Sequence, residues 1–574
     1  TYNEPPLVVD KSLTILGGYW KALYGDQACL TLNGVGLVTV HPAAPVASPI
    51  FRVQGANVHV QWFIFENGAD VGVAVDSGGT LDLVDSVVQN NDDGGLSVVG
   101  ATANLLRTDI LDNDRDYGGG IYMNTGASVT ASDSLIKDNW GWDQGAGVYL
   151  RNGSVFSAIE GTRIELNVTP SDCEDGGGVA AIGTGTEVII DASQVLSNTA
   201  LTRGGGLYLA GGAQAWVQNG SMVKGNRAIG PGVGGGGVYV ADSLSSLHVD
   251  GSRFFGNSAD PNGGGIYSSF GTVHLSNARF YDNRARDNGG AVYNSGGSVT
   301  CRDSYFDQNW VLDYHGGALL SIGPTGTLDV ERCRFEENST DAGNGGAIFA
   351  DQPYTSVRRS FFTGNTAPGD GSALFLSGMH LTGSPEAEVV NSYIVDNPTP
   401  VIVRDGGEAV PASVAGPEGP EGPPANGSSL YAEYITAYLT HNTFAHQSLA
   451  YHFGVLADAD STLHLVNNIF TNFSVAFHRF TSGTGSADAA FTLFWGNNFN
   501  YDPLTLSSSD EVLGDPAFAG GGNYNLAPSS AAIDAGTDAG VPLDYFGGAR
   551  PWGGGFEIGA QEYPFRVFLP LVRR

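Results

Sequence analysis

The chain repeats one paired signal, and that repeat limits its fold more than any other feature. It is clearest between Gly263-Gly264-Gly265-Ile266-Tyr267 and Ala278-Arg279-Phe280-Tyr281-Asp282-Asn283. It returns as Gly289-Gly290-Ala291-Val292-Tyr293 with Ser304-Tyr305-Phe306-Asp307-Gln308-Asn309, and as Gly316-Gly317-Ala318-Leu319 with Cys333-Arg334-Phe335-Glu336-Glu337-Asn338. The closing asparagines are Asn67, Asn91, Asn113, Asn139, Asn167, Asn198, Asn226, Asn257, Asn283, Asn309, Asn338, Asn365 and Asn397, spaced 22 to 32 residues apart. Self-similarity at such a period marks a solenoid, in which each repeat is one supersecondary unit.

Paired glycines suit sharp corners and close backbone approach. The residues after them alternate, as in Ile121 and Met123 or Val238 and Val240, and a period of two is a strand. The third position of the closing motif is apolar in every repeat, from Ile64 and Val88 through Phe280 and Phe335 to Ile394. Such a coil cannot bury its own apolar face, so coils must stack. Asparagines recurring at one corner would then lie above one another and exchange amide hydrogen bonds as a ladder. The pattern predicts an all-β parallel β-helix of about eighteen coils.

These motifs resemble the GGA(I/L/V) and FxxN repeats of polymorphic outer-membrane adhesins, within the right-handed, pectate-lyase-like β-helix class. The resemblance covers residues 60 to 400. It implies a right-handed coil, but this scaffold carries lyases, hydrolases, adhesins and structural proteins alike. Gly514-Asp515-Pro516-Ala517-Phe518, Ala531-Ala532-Ile533-Asp534-Ala535-Gly536 and the run from Arg550 to Tyr563 resemble the closing segment of secreted bacterial β-helix proteins of the choice-of-anchor kind. The expected organisation is early coils without an obvious cap over 1–60 and a β-helix over 61–513 with a Pro/Gly/Glu-rich loop at 405–430. A C-terminal cap over 514–563 and an extended apolar tail over 564–574 complete it.

The 26 Lys and Arg against 59 Asp and Glu give a formal charge of −33, a field that repels nucleic acid and attracts cations. No apolar run approaches the roughly 20 residues of a membrane span. The repeat architecture, the acidity and only four cysteines point to a secreted or cell-surface bacterial protein. Cys301 and Cys333 fall in neighbouring coils but about three positions apart in register, which argues against a bridge. Cys333 takes a slot that serine holds in other coils, and reads as a small buried side chain.

Acids gather in the early loops: Asp92, Asp93, Asp114, Asp116, Asp143, Asp172, Glu174 and Asp175. Stacking could bring some of them onto one Ca²⁺, the one cofactor the sequence suggests; Asp before Gly also simply suits a turn. No spacing marks a catalytic set or a required cofactor; His441 and His446 lie five apart with His452 beyond, but no spacing marks the third convergent group that zinc ligation needs. Tyr122, Tyr149, Tyr208, Tyr239, Tyr267 and Tyr293 alternate with inward residues, so they are expected to point outward. Such a stripe suits glycan stacking or another rod, and equally cross-strand pairing. Variable lengths between each Asn and the next glycine pair put functional loops along one edge.

Two functions follow. One is a non-enzymatic structural or adhesin-like protein, taking a glycan or other surface ligand; the other is a polysaccharide lyase or glycoside hydrolase working in a groove. The lack of a recognisable catalytic set favours the first. Phe565, Val567, Phe568, Leu569, Leu571 and Val572 form an apolar segment with no coil to complete. Added to the exposed edge of a first coil, it would join chains head-to-tail into filaments.

Overall fold

The computed structural model describes residues 7–16, 37–41, 48–170, 175–230, 234–398, 401–403, 409–411, 427–458, 460–480, 483–501 and 506–563. Among these there is no helix. The chain divides into two compact units, Thr1–Arg286 with Gly290–Gly297, and Asp287–Gly289 with Ser298–Arg574.

In the first unit a typical coil has four strands, Ile121–Asn124, Ser128–Ser132, Leu135–Lys137 and Trp140–Gln144. Each pairs in parallel with its counterpart in the next coil, residue on residue: Ile121 with Val148, Val129 with Phe156, Ile136 with Ile164. Repeats of slightly different length keep this register because the differences are absorbed in loops. Two corners of each coil are turned by a single residue in the left-handed region, such as Asp133 at φ 46° and Asp138 at φ 53°. Each corner residue is followed by the small or amide side chain that closes the corner. The glycine pair does a further job. Gly263 takes φ +65°, and a Cβ on Gly264 would lie 2.4 Å from the carbonyl oxygens of Arg284 and Gly290. Only glycine lets the neighbouring coil approach so closely.

Within the solenoid, apolar columns and an amide ladder run from coil to coil. Val88, Ile110, Ile136, Ile164, Val195, Val223, Phe254 and Phe280 are all fully buried. Each asparagine from Asn91 to Asn257 donates its Nδ2 to the Oδ1 of the next, Asn283 being the last acceptor of this unit, at 2.9 to 3.1 Å. The same amide also reaches a backbone carbonyl of an earlier coil, as Asn226 does to Val195. Asn67 does not join. It is exposed at φ 62°, and the slot is held by Gly68, whose N–H donates to Asn91 Oδ1. Phe65, not Ile64, pairs with Val88 in the apolar column. The motif in that coil is therefore read one residue too early from the sequence, because Phe63-Ile64-Phe65 offers two registers and the pairing selects one.

The second unit repeats the plan. Asn309, Asn338, Asn365 and Asn397 form its ladder, and Phe306, Phe335 and Phe362 stack at 4.7 and 4.8 Å between ring centroids. After an antiparallel pair, Val401–Val403 with Ala409–Pro411, the coils resume. Here Asn442 and Asn468 occupy the other corner, where earlier coils carry serine, and bond to each other. The strands Thr443–Ala457 and Ile469–Arg479 run through what are separate strands and corners in earlier coils. The solenoid has about fifteen turns, slightly fewer than the eighteen expected.

The segment after 514 lies along the flank of several coils. Leu526, Ala532 and Ile558 pack with Ile469 and Leu493, while Tyr524 and Ala560 pack with Tyr393, Val395 and Ala445. The tail residues Phe565, Val567, Phe568, Leu569, Leu571 and Val572 lie outside the described residues.

Candidate ligand-binding face

The tyrosine column alternates with the core as expected, yet it is not an exposed stripe. Tyr149, Tyr208, Tyr239, Tyr267 and Tyr293 are all buried, and Tyr122 is half-buried. Two effects cover them. Parallel in-register stacking lays neighbouring rings on one another, except where Ala180 stands between Tyr149 and Tyr208, with centroids 5.7 Å apart for Tyr208 and Tyr239 and 4.8 Å for Tyr239 and Tyr267. The guanidinium of Arg203 then lies over Tyr208 and Tyr239, and that of Arg115 over Tyr122 at 4.5 Å. Sequence alternation gives direction, but cover comes from residues distant in the chain.

The same arginines explain two of the loop acids. Asp175 is fully buried and takes a two-pronged bond from Arg203, Nε to Oδ1 at 2.8 Å and Nη2 to Oδ2 at 2.7 Å. Burial pushes its carboxyl up and the Arg203 bonds pull it back. Asp93 lies 3.5 Å from Arg115. Asp114 accepts the indole N–H of Trp142, and Asp143 bonds the Tyr117 hydroxyl. Asp92 and Asp116 are exposed, and both add repulsion at Asp114, whose carboxyl is raised first by burial. Asp172 and Glu174 lie outside the described residues. Among the described residues, no three His, Cys, Asp or Glu side chains come together as a metal site. The spacing places acids on neighbouring coils, whereas their bonding partners point them to arginine, indole and phenol.

What these loops present instead is a pair of tryptophans that the sequence reading passed over. Trp140 and Trp142 are each 45% exposed, with ring centroids 6.3 Å apart. They stand on the strand Trp140–Gln144, which pairs with Asp114–Tyr117 in the preceding coil and bulges opposite Arg115 and Tyr117. The local cause is legible. Asn139 closes the corner inside the ladder, and period two sends the indoles at 140 and 142 to one side. Gly141 between them faces inward, where a Cβ would come within 2.8 Å of the Ala146 backbone. Tyr117, 40% exposed, extends the face, and Asp114, Asp116 and Asp143 rim it. The signal was Asn139-Trp140-Gly141-Trp142, lying in the variable stretch between a corner asparagine and the next glycine.

Two family profiles match the chain. The right handed beta helix region matches residues 50–221 and 119–323, and the Chlamydia polymorphic membrane protein repeat matches residues 332–351. With the parallel coils described above, these settle the class. The chain is a right-handed β-helix repeat protein. The shorter match begins at the corner before Cys333-Arg334-Phe335-Glu336-Glu337-Asn338 and ends on the strand Ile348–Asp351, so it spans one motif pair. No curated protein matches the chain. The described part of this β-helix protein holds no helix long and apolar enough to cross a membrane.

A second group of acids sits in the other unit of the β-helix protein. Asp351, Ser377 and Glu433 stand in register on three successive coils, and Ser377 Oγ donates to Glu433 Oε2 at 3.3 Å. Asp351 Oδ2 meets His380 Nδ1 at 2.6 Å. Burial, with Glu433 nearby, pushes the Asp370 carboxyl up to about 7. Burial and Asp458 likewise raise Glu433. The buried histidines are a separate feature: His446 and His452 face each other Nε2 to Nε2 at 3.1 Å, and His452 meets Ser429 Oγ at 3.1 Å.

Proposed function

We propose that this β-helix protein is a non-enzymatic, adhesin-like protein exposed at a bacterial surface or released from it, and that the Trp140–Trp142 face takes a neutral glycan. The exposed indole pair carries the reading. Flat aromatic faces accept the apolar C–H face of a sugar ring, and the rimming carboxylates of Asp114, Asp116 and Asp143 accept its hydroxyls. A chain of charge −33 disfavours anionic polysaccharides. The polymorphic membrane protein repeat supports surface exposure.

The test is binding of the intact protein to an array of neutral and acidic glycans. A neutral glycan should be retained, and W140A/W142A should weaken it at least tenfold with unchanged circular dichroism and melting. Retention of no glycan, or equal retention by the variant, would reject the reading. Hydrolysis is the second reading, favoured by the pairing of two buried acids: burial pushes the Asp370 carboxyl up to about 7, toward the range a general acid uses, beside the raised Glu433. Sustained release of reducing ends, lost in D370N and E433Q, would establish that reading in place of the first.

A further inference from the structure

Cys301 and Cys333 meet in the interior of their unit, although strand register alone keeps them apart. Cys301 is the fourth residue of the strand Ser298–Arg302 and pairs with Val330, three residues before Cys333. Between them Arg332, at φ 55°, turns the corner and sends the Cys333 side chain back against the coil before it. The same corner behaves alike elsewhere. Ser221 Oγ donates to the Ile190 carbonyl of the preceding coil at 3.0 Å, Thr162 Oγ1 to Ala131 at 2.8 Å, and Thr108 Oγ1 to Leu83 at 2.9 Å. Leu83, Ala131 and Ile190 each hold the fourth strand position that Cys301 holds in its own coil. The repeat thus sets the corner side chain of one coil against this position of the coil before it. Where both are cysteine, the sulfurs lie 2.9 Å apart, and both residues are buried.

We propose that Cys301 and Cys333 are a disulfide modification site, a covalent staple between two adjacent coils. A disulfide bond is about 2.05 Å long, so the sulfurs need to travel only about 1 Å further, by side-chain rotation. The oxidant is a low-molecular-weight disulfide. One cysteine thiolate attacks it, forming a mixed disulfide and expelling one small thiolate. The second cysteine thiolate attacks that mixed disulfide, forming the Cys301–Cys333 bond and expelling the second small thiolate. Two electrons pass to the oxidant, and the two protons lost by the cysteines end on the two small thiols. Burial raises the Cys301 thiol and closes it to reagents, so the staple forms while the coils assemble.

The experiment refolds the full chain from denaturant with oxidised and reduced glutathione, or with excess reductant. Both arms are acid-quenched, alkylated with N-ethylmaleimide in denaturant, digested without reductant and mapped by mass spectrometry. The glutathione arm should yield one linked peptide pair joining Cys301 to Cys333, about 2 Da lighter than the two reduced peptides together. The reductant arm should yield none and melt several degrees lower. C333S, which restores the residue of neighbouring coils, should fold normally and melt identically in both arms. Both cysteines alkylated in the glutathione arm, each joined to glutathione, or either joined to Cys29 or Cys173, would overturn the proposal.

Discussion

At the scale of single residues, the side chains that decide chemistry here are those whose partners lie a whole coil away. Asp370 is an example. Its Oδ1 is buried without a partner and Glu433 adds repulsion, so the folded chain holds its proton up to about 7. In the unfolded chain the same carboxyl ionises near 3.8. A raised folded value means that its favourable share of stability is complete below 3.8 and is lost as pH rises through about 7. D370N removes that loss. Its stability relative to the native protein should therefore climb between pH 4 and 7 and level above, by on the order of 4 kcal/mol. Parallel stability curves for the two proteins across this range would contradict the assignment. Burial raises Asp175 as well, but there the Arg203 bonds oppose the shift, whereas Glu433 adds to it at Asp370.

At the scale of elements, the ladder and the apolar column divide the work of holding coils together. Burial of Phe254, Phe280, Phe335 and Phe362 is non-directional and drives stacking, whereas the amides fix register. Asn226 shows why. Its Oδ1 accepts from both the backbone N–H and the Nδ2 of Asn198, and its own Nδ2 serves Val195 and Asn257. N226A should leave these buried groups unpaired and cost about 1–3 kcal/mol in chemical denaturation. D116A, at an exposed residue of the strand Asp114–Tyr117, should change stability by less than about 0.5 kcal/mol. Equal costs would mean that the ladder contributes nothing beyond the column. This element was legible from Asn91 to Asn397, since one residue type recurs at one corner. It failed at Asn67, where the neighbouring coil's pairing, and no local signal, chooses Gly68.

At the scale of the whole molecule, the closing segment from 514 to 563 is held to its unit by polar as well as apolar contacts. Arg550 and Glu562 form an ion pair whose side chains are essentially unexposed, and Arg550 Nη2 also donates to Asn391 Oδ1 and the Gly559 carbonyl at 2.9 Å. R550A should leave Glu562 buried and unpaired and cost about 3–5 kcal/mol, read as a lower denaturation midpoint. R253A, at an exposed arginine, is the control, and an equal shift there would place the clasp elsewhere.

The sequence by itself determined the class, the strand faces and most of the ladder, because each follows from a period along the chain: two within a strand, one coil between corners. Period also put Trp140 and Trp142 on one face and the tyrosines on another. Only the tertiary structure decided which of those faces meets solvent. Cover depends on Arg203, Arg115 and the loops of other coils, whose places no local pattern encodes. It likewise decided that Cys333 turns back onto Cys301 and that the early acids bond arginine, indole and phenol. A left-handed corner residue redirects the side chain that follows it, and a partner one coil away, drawn from anywhere in a repeat, settles what that side chain can do.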